Sequence, residues 1–433
     1  YTAALKNDGS VWAWGANADG QLGDGTYTDR TAPVQTTGLS GVIALDCGAA
    51  HTVALRNDGS VWAWGANTNG QLGTGALNVG PHGRYSPVQV QGLYGSGYLQ
   101  EITAIAAGFA HTLALRKDGT VVSWGANFFG QLGTGTRTMS PVPIPVSGLS
   151  GIRAIAAGGG GGVLGDHSLA VTSDGTVWAW GANGKGQLGD GTRDDRLTPV
   201  QVLNATGTGP LSDIRQVAAG ARHSLALDKD GRVWAWGDNT FGQLGDGTYE
   251  DRAYPGQVTG LSDVVMIAAG WRHSIAIDAD GRVWIWGRNT SGQIGNGTTE
   301  NSSVPVQISG MALGNTSATL SVNVNPPGTG TTVPSGTRRY RLGTTAGITA
   351  RAVFRYQFHH WSGDATGVET AVDLLMDGNK SVTANFVLIP GLDCNLTMVS
   401  SPADGGYLVP TAGIHQYPVG TVLNISAEPG YRY

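Results

Sequence analysis

The stretch NDGSVWAWGANTNGQLG, residues 57–73, decides the fold, because five near copies of it surround it. They read NDGSVWAWGANADGQLG at 7–23, KDGTVVSWGANFFGQLG at 117–133, SDGTVWAWGANGKGQLG at 173–189, KDGRVWAWGDNTFGQLG at 229–245 and ADGRVWIWGRNTSGQIG at 279–295. The second tryptophan of each copy, Trp14, Trp64, Trp124, Trp180, Trp236 and Trp286, recurs at intervals of 50, 60, 56, 56 and 50 residues. Such a period marks a stack of equal structural units, each too small to bury its own apolar face.

Each unit reads as four short strands. His-x-x-Ala-Leu, as at His51 to Leu55, runs into Asp-Gly, a dipeptide that suits a two-residue hairpin turn with positive φ at both central positions. Val-Trp-Ala-Trp is the partner strand, and its apolar residues on both faces require a sheet covered on both sides. A Pro-Val strand follows the loop, then Ile-x-x-Ile-Ala-Ala-Gly, as at Ile102 to Gly108. The composition agrees: Gly 70 and Pro 18 of 433 residues supply turns, and only 13% are charged, where about 25% is ordinary. The fold class expected is all-β, with radially repeated four-stranded blades. The glycine has no Gly-X-Y period, which excludes collagen. A net charge of −5 with 26 scattered basic residues argues against nucleic-acid binding, and no apolar run is long enough to span a membrane.

WGxNxxGQLG with AAGxxH upstream resembles the regulator of chromosome condensation repeat, whose family folds as a seven-bladed β-propeller. The resemblance covers residues 1 to about 310 and implies a propeller over 1–312. Six repeats are visible. Tyr1 aligns with His51, and MALGNTSATL stands where another Ile-x-x-Ile-Ala-Ala-Gly is due, so the chain reads as an internal fragment with a seventh blade completed from upstream.

Beyond about Ser317 the tryptophan period gives way to a Thr/Val-rich pattern. WSGD at 361–364 followed by MDGNKSVTANF at 376–386 resembles the internalin-type B-repeat, a small β module of bacterial surface and secreted proteins. This predicts one module over 317–389 and a truncated second copy over 392–433, since Tyr340, Gly343, Thr344, Ile348 and Ala350 recur 77 residues later as Tyr417, Gly420, Thr421, Ile425 and Ala427. The resemblance implies an extracellular, secreted or cell-surface bacterial setting.

Five histidines, His51, His111, His167, His223 and His273, share one repeat position. A catalytic or metal-binding histidine is rarely needed five times around a ring, so these and the blade tryptophans are expected to be structural. The glycine-rich AAGGGGGVLGDH at 156–167 lacks the Lys-Ser/Thr ending of a phosphate loop and reads as a six-residue insertion relative to AAGFAH at 106–111. Three loops carry Asp-Gly-Thr-x-x-Asp-Arg, at 24–30, 190–196 and 246–252; the arginine is a ready neutralising partner, so an ion-paired turn is expected in preference to a Ca²⁺ site. Cys47 and Cys394 are read as unpaired thiols, and no metal or cofactor is expected.

Positions that vary between copies are better candidates for binding, because loops on a rigid frame carry recognition. Phe128 and Phe129, Phe241, and Trp271 with Arg272 are the aromatic and cationic variants, of the kind favoured at interface hot spots. The stretches 81–85 and 94–98 add loop area. GWRHS at 270–274 resembles a motif of ultraviolet-sensing members of the propeller family, but only one of five aligned positions is Trp, so light sensing is not expected. No catalytic residue is assigned. The function expected is a non-catalytic scaffold binding protein or glycan at the cell surface, with the β modules as stalk and self-assembly as a further option. The alternatives are a secreted enzyme inhibitor of the β-lactamase-inhibitor type and a polysaccharide hydrolase or lyase working at the channel mouth. Guanine-nucleotide exchange, known in the eukaryotic branch, is the weakest reading, because fold alone does not carry function.

Overall fold

The computed structural model describes residues 1–77, 83–160, 165–312, 317–353 and 355–389, and beyond these the backbone of four strands between 393 and 429. The chain divides into two compact units, Tyr1–Gly314 and Asn315–Tyr433.

The first unit is a β-propeller of six antiparallel sheets in sequence order. The third shows the plan: Ile102–Ala107, His111–Arg116, Val121–Gly125 and Ser140–Pro145 pair each with the next. Five sheets have four strands; the first has three, Thr2–Leu5, Val11–Gly15 and Arg30–Gln35. The innermost strands of the second to sixth sheets line one central cavity of about 700 Å³, walled mostly by alanine and glycine. Up-and-down pairing fixes where the loops go: the AAGxxH turn and the WGxN…GQLG loop leave every sheet at the same end, and the Asp-Gly turn leaves at the other.

The Asp-Gly turn differs from the expected two-residue form. In the second sheet Arg56 N–H donates to Ser60 O (3.0 Å) and Gly59 N–H to Arg56 O (3.0 Å), so three residues, Asn57 to Gly59, form the loop. Only Gly59 has positive φ (+78°). This is a type I turn closed by a glycine bulge. Its cause is the aspartate, whose Oδ1 accepts from both the Ser60 N–H (3.0 Å) and the Ser60 hydroxyl (2.6 Å), holding Asp58 out of the left-handed region.

Packing between sheets rests on the second tryptophan of each unit. Trp64, Trp124, Trp180, Trp236 and Trp286 are fully buried, each inserted against the sheet before it. Each indole N–H donates to the backbone carbonyl of the preceding unit's glutamine: Trp64 to Gln21 (2.9 Å), Trp124 to Gln71 (2.9 Å), Trp180 to Gln131 (2.8 Å), Trp236 to Gln187 (2.8 Å) and Trp286 to Gln243 (2.9 Å). Trp14, in the first unit, is half-buried. Burying a tryptophan removes about 200 Å² from water, worth roughly 5 kcal/mol gross. The hydrogen bond adds about 1 kcal/mol net, so packing supplies the energy and the bond supplies the register.

The second unit is a small β module. One sheet has the order Gly336–Arg341, Ser317–Asn325, Lys380–Leu388, Tyr356–Gly363, with its central pair parallel; the other has the order Gly330–Val333, Thr345–Ala352, Ala371–Leu375. Leu320, Ile348, Trp361, Met376 and Phe386 form its core. The strands beyond it repeat the scheme, Asp393–Met398 pairing with Gly413–Pro418 and Gly406–Val409 with Ser426–Pro429. The side chain of Cys394 lies outside the described residues.

Replacing Trp180 by Phe keeps the ring contacts and removes one of two donors to the Gln131 carbonyl. The expected cost is about 1–2 kcal/mol, against about 3–5 kcal/mol for Trp180→Ala, read as a shift in urea unfolding. Equal losses in the two variants would show that the hydrogen bond, not packing, dominates.

Candidate functional site

The repeat motif is spent almost entirely on holding the frame. In WGxN the buried asparagine accepts the N–H of the leucine five residues on and donates to loop carbonyls; Asn127 accepts from Leu132 (2.9 Å) and donates to Thr136 O and Thr138 O (2.9 Å each). The last glycine of GQLG sits against the next unit's indole: a Cβ on Gly133 would lie 2.9 Å from Trp180 Nε1, and its φ is +69°. The AAG glycine faces the histidine ring, since a Cβ on Gly108 would lie 2.2 Å from His111 Cε1.

The histidines complete the stitching. His51, His111, His167 and His223 are fully buried, and their Nε2 atoms lie 3.2, 3.0, 2.9 and 3.0 Å from the hydroxyls of Thr112, Ser168, Ser224 and Ser274 in the following unit. Each hydroxyl donates back to the glutamine carbonyl that also receives the tryptophan, as Ser168 does to Gln131 (2.9 Å). A hydroxyl has one proton, so it must accept from the imidazole, which fixes the Nε2–H tautomer and leaves Nδ1 bare. Those four Nδ1 atoms have no hydrogen-bond partner. His273 is half-buried, and among the described residues no equivalent set joins the sixth unit to the first.

The Asp-Gly-Thr loops are likewise internal. Asp24 accepts from Arg30 (2.7 Å) and, through its other oxygen, from the Thr26 N–H and hydroxyl; Asp190 does the same with Arg196 (2.7 Å) and Thr192. The Asp246–Arg252 pair is longer, at 3.5 Å. Asn296 makes the same turn with Thr298 in the sixth unit, so the geometry does not need the carboxylate charge. Of the glycine-rich insertion, residues 161–164 lie outside the described residues; the flanking Gly158 and Gly159 pair with His167 and Asp166 and lengthen the hairpin.

In the cavity wall Asp46 is the one carboxylate among the described lining residues. It is half-buried, and desolvation in the cavity wall pushes it up to about 6, while it accepts the backbone N–H of Ala107 (2.8 Å) and of Cys47 (2.8 Å). Glycoside hydrolysis needs two carboxyl groups facing a substrate, and this wall does not offer them. Cys47, a free thiol pushed up to about 11 by burial, is half-buried beside it. No group of three metal-ligating side chains occurs among the described residues, and no helix is long and apolar enough to cross a membrane.

The exposed Tyr94 and Tyr98 stand on the loop between the second and third sheets, whereas the binding candidates read from the sequence lie at the other end, the loop end carrying the AAGxxH and GQLG turns. Phe128 (54% exposed) and Trp271 (51%) project there, with Phe109 also exposed. The candidates fall into two groups. Phe128 and the half-buried Phe129 sit at the junction of the third and fourth units, Phe129 beside Gly165. Phe241, Trp271 and Arg272 come together at the junction of the fifth and sixth: the Arg272 guanidinium lies 5.0 Å from the Phe241 ring and 5.2 Å from the Trp271 ring. The structure adds a residue that sequence reading passed over, Arg288, whose guanidinium lies 5.5 Å from the Phe241 ring. Its signal was its place in WGxN, where Ala16, Ala66, Ala126 and Ala182 stand in other copies.

Tandem four-stranded sheets stitched in this way around a cavity define a repeat propeller, and comparison with known proteins names its family. The model of the RCC1-like domain matches residues 1–324, and that of the divergent InlB B-repeat domain matches 320–390. The chain belongs to the RCC1-like domain family. It is 36% identical over 269 residues to the ultraviolet-B receptor UVR8 of Arabidopsis thaliana, covering 60% of this chain and 56% of that one. To the human E3 ubiquitin-protein ligase HERC2 it is 32% identical over 263 residues, 60% of this chain and 5% of that one. The structure of yeast RCC1 (Prp20) bound to Kap60 is similar with a TM-score of 0.59 and 26% identity, over 71% of this chain and 72% of that one. The chain thus spans little more than half of the first curated relative and a small part of the second. Strand Ser317–Asn325, where the two family matches overlap, belongs to the sheet of the second unit.

The histidines predict a pH response. Burial pushes His51 and His167 down to about 3 and His223 to about 4. Between the unfolded value of about 6.5 and these folded values the unfolded chain binds more protons, so stability falls as pH drops. Each histidine contributes up to about 1.4 kcal/mol per pH unit, and Asp46, raised in the fold, offsets one of them between about pH 4 and 6. Guanidinium unfolding should give a lower midpoint at pH 5 than at pH 7, with a shallower dependence in His167→Gln. An unchanged midpoint would mean that these imidazoles stay solvated. A second measurement concerns the Asp-Gly-Thr loops: millimolar Ca²⁺ against EDTA should leave the thermal midpoint where it is.

Proposed function

We propose that this propeller is a non-catalytic protein-interaction platform whose contact face is the loop end bearing Phe128, Trp271, Arg272 and the residues around them. One observation carries this reading. The shared motif is consumed in joining blade to blade, whereas Phe109, Phe128 and Trp271, at positions where the copies differ, are left exposed at one end of the sheets with Arg272 beside Trp271. The relatives support it in kind: a yeast member of the family is seen bound to Kap60. The cavity supports it too, because its described wall offers no acid and base pair. The B-repeat unit supports a setting on a secreted or surface-displayed bacterial protein, with these modules as a stalk.

The test is capture from extracts and surface fractions of the source cells with the whole 433-residue chain as bait. A specific partner should be retained by the parent and lost by at least about tenfold with Phe128→Ala or Trp271→Ala, both exposed and able to change without unfolding. Retention that ignores both substitutions, or turnover of a substrate by the parent chain, would overturn the proposal. Protease shaving of intact cells should release propeller peptides if the surface setting holds.

A further inference from the structure

We infer that the junction of the fifth and sixth units is a carboxylate-binding site, which takes an Asp- or Glu-rich segment of a partner protein. This rests on the platform reading above and specifies its chemistry.

Two arginines meet there: Arg288 N–H donates to Arg272 O (2.9 Å), which sets the two residues next to each other. Arg272 is shared between two rings and Arg288 lies by one of them. With the guanidinium charge against aromatic rings and no acid paired to it, its N–H groups remain for a ligand, and they fit a carboxylate bidentately.

Many of the propeller's other arginines are neutralised: Arg30, Arg196 and Arg252 each hold an aspartate of their own loop, and Arg232 and Arg282 pair with aspartates at the opposite end of their sheets, while Arg153 and Arg215 donate to backbone carbonyls. Among the described residues neither Arg272 nor Arg288 has an ion pair; Arg288 Nε donates only to the Thr290 hydroxyl (2.8 Å). In a chain of net charge −5, two adjacent cations without an acid of their own are open to an anion from outside.

Three features favour a peptide over a polyanionic glycan or nucleic acid. The cations form one compact group rather than a stripe along a groove, which a long polyanion would need. Trp271 and Phe241 offer apolar surface for the side chains that flank an acidic residue. The exposed Phe109 and Phe128 offer further apolar side chains at the same loop end.

The probe is a short fluorescein-labelled peptide rich in Asp and Glu with interspersed Leu, titrated with the full chain and read by fluorescence anisotropy. Its Asn/Gln analogue and heparin serve as competitors. Binding should weaken steeply with salt and fall at least about tenfold in Arg272→Ala and in Arg288→Ala. It should be unchanged in Arg30→Ala, which removes an arginine already paired. Thermal midpoints of all variants establish that they fold. The inference is overturned by no rise in anisotropy, by equal competition from the Asn/Gln analogue, by binding that survives both substitutions, or by heparin outcompeting the peptide at matched charge. Concentration-dependent dimers in sedimentation that vanish in Arg272→Ala would overturn it too, by making a second copy the occupant. If partner capture still depends on Phe128 and Trp271 while the acidic peptide fails, the platform stands and the carboxylate chemistry falls.

Discussion

The glutamine carbonyl of GQLG is the point on which the propeller depends. At each junction it accepts two hydrogen bonds from the following unit, one from the indole and one from a hydroxyl; from the second unit on, that hydroxyl accepts from the histidine of the carbonyl's own unit, and in the first Tyr1 stands in the histidine's place. Two side chains thus converge on one backbone oxygen, and a third holds one of them. From the second unit on, none of them has water as an alternative, because all are buried. An unpaired group there would cost about 1–3 kcal/mol, so a unit shifted in register loses several bonds at once. The tryptophan provides the adhesion and this loop of hydrogen bonds makes it specific.

That arrangement explains why function lies in what varies. A motif residue that changes breaks a junction, whereas a change at the positions around Phe128 or Trp271 alters only the loop face. The same logic separates the two kinds of arginine. Those in the Asp-Gly-Thr loops are bound within their own turn and shape it, while Arg272 and Arg288 rest on aromatic rings with their charge open to a ligand. The chain's low charge, concentrated in paired turns, makes the unpaired group stand out.

Much of this was legible in the residues. The tryptophan spacing gave the unit, and the repeated His position pointed to a framework role; four of the five are buried, each against a Thr or Ser hydroxyl of the next unit. The WSGD and MDGNKSVTANF stretches marked the B-repeat, which forms its own core around Trp361 and Phe386. Other features were not legible for a definite reason. The Asp-Gly turn was misread because dipeptide preference does not show the aspartate side chain capping the next residue. Arg288 was missed because its partner Phe241 lies 47 positions away in another repeat, and only the junction brings them to 5.5 Å.

By itself, then, the sequence determined the period, the all-β class and the identity of the framework residues, because these follow from local patterning repeated along the chain. Only the tertiary structure decided which variable residues act together. Phe128 and Phe129 belong to one junction and Phe241, Trp271, Arg272 and Arg288 to another, since a loop of one unit meets the turn of the next across a contact fixed by buried tryptophan and hydrogen-bond geometry rather than by nearness in the chain.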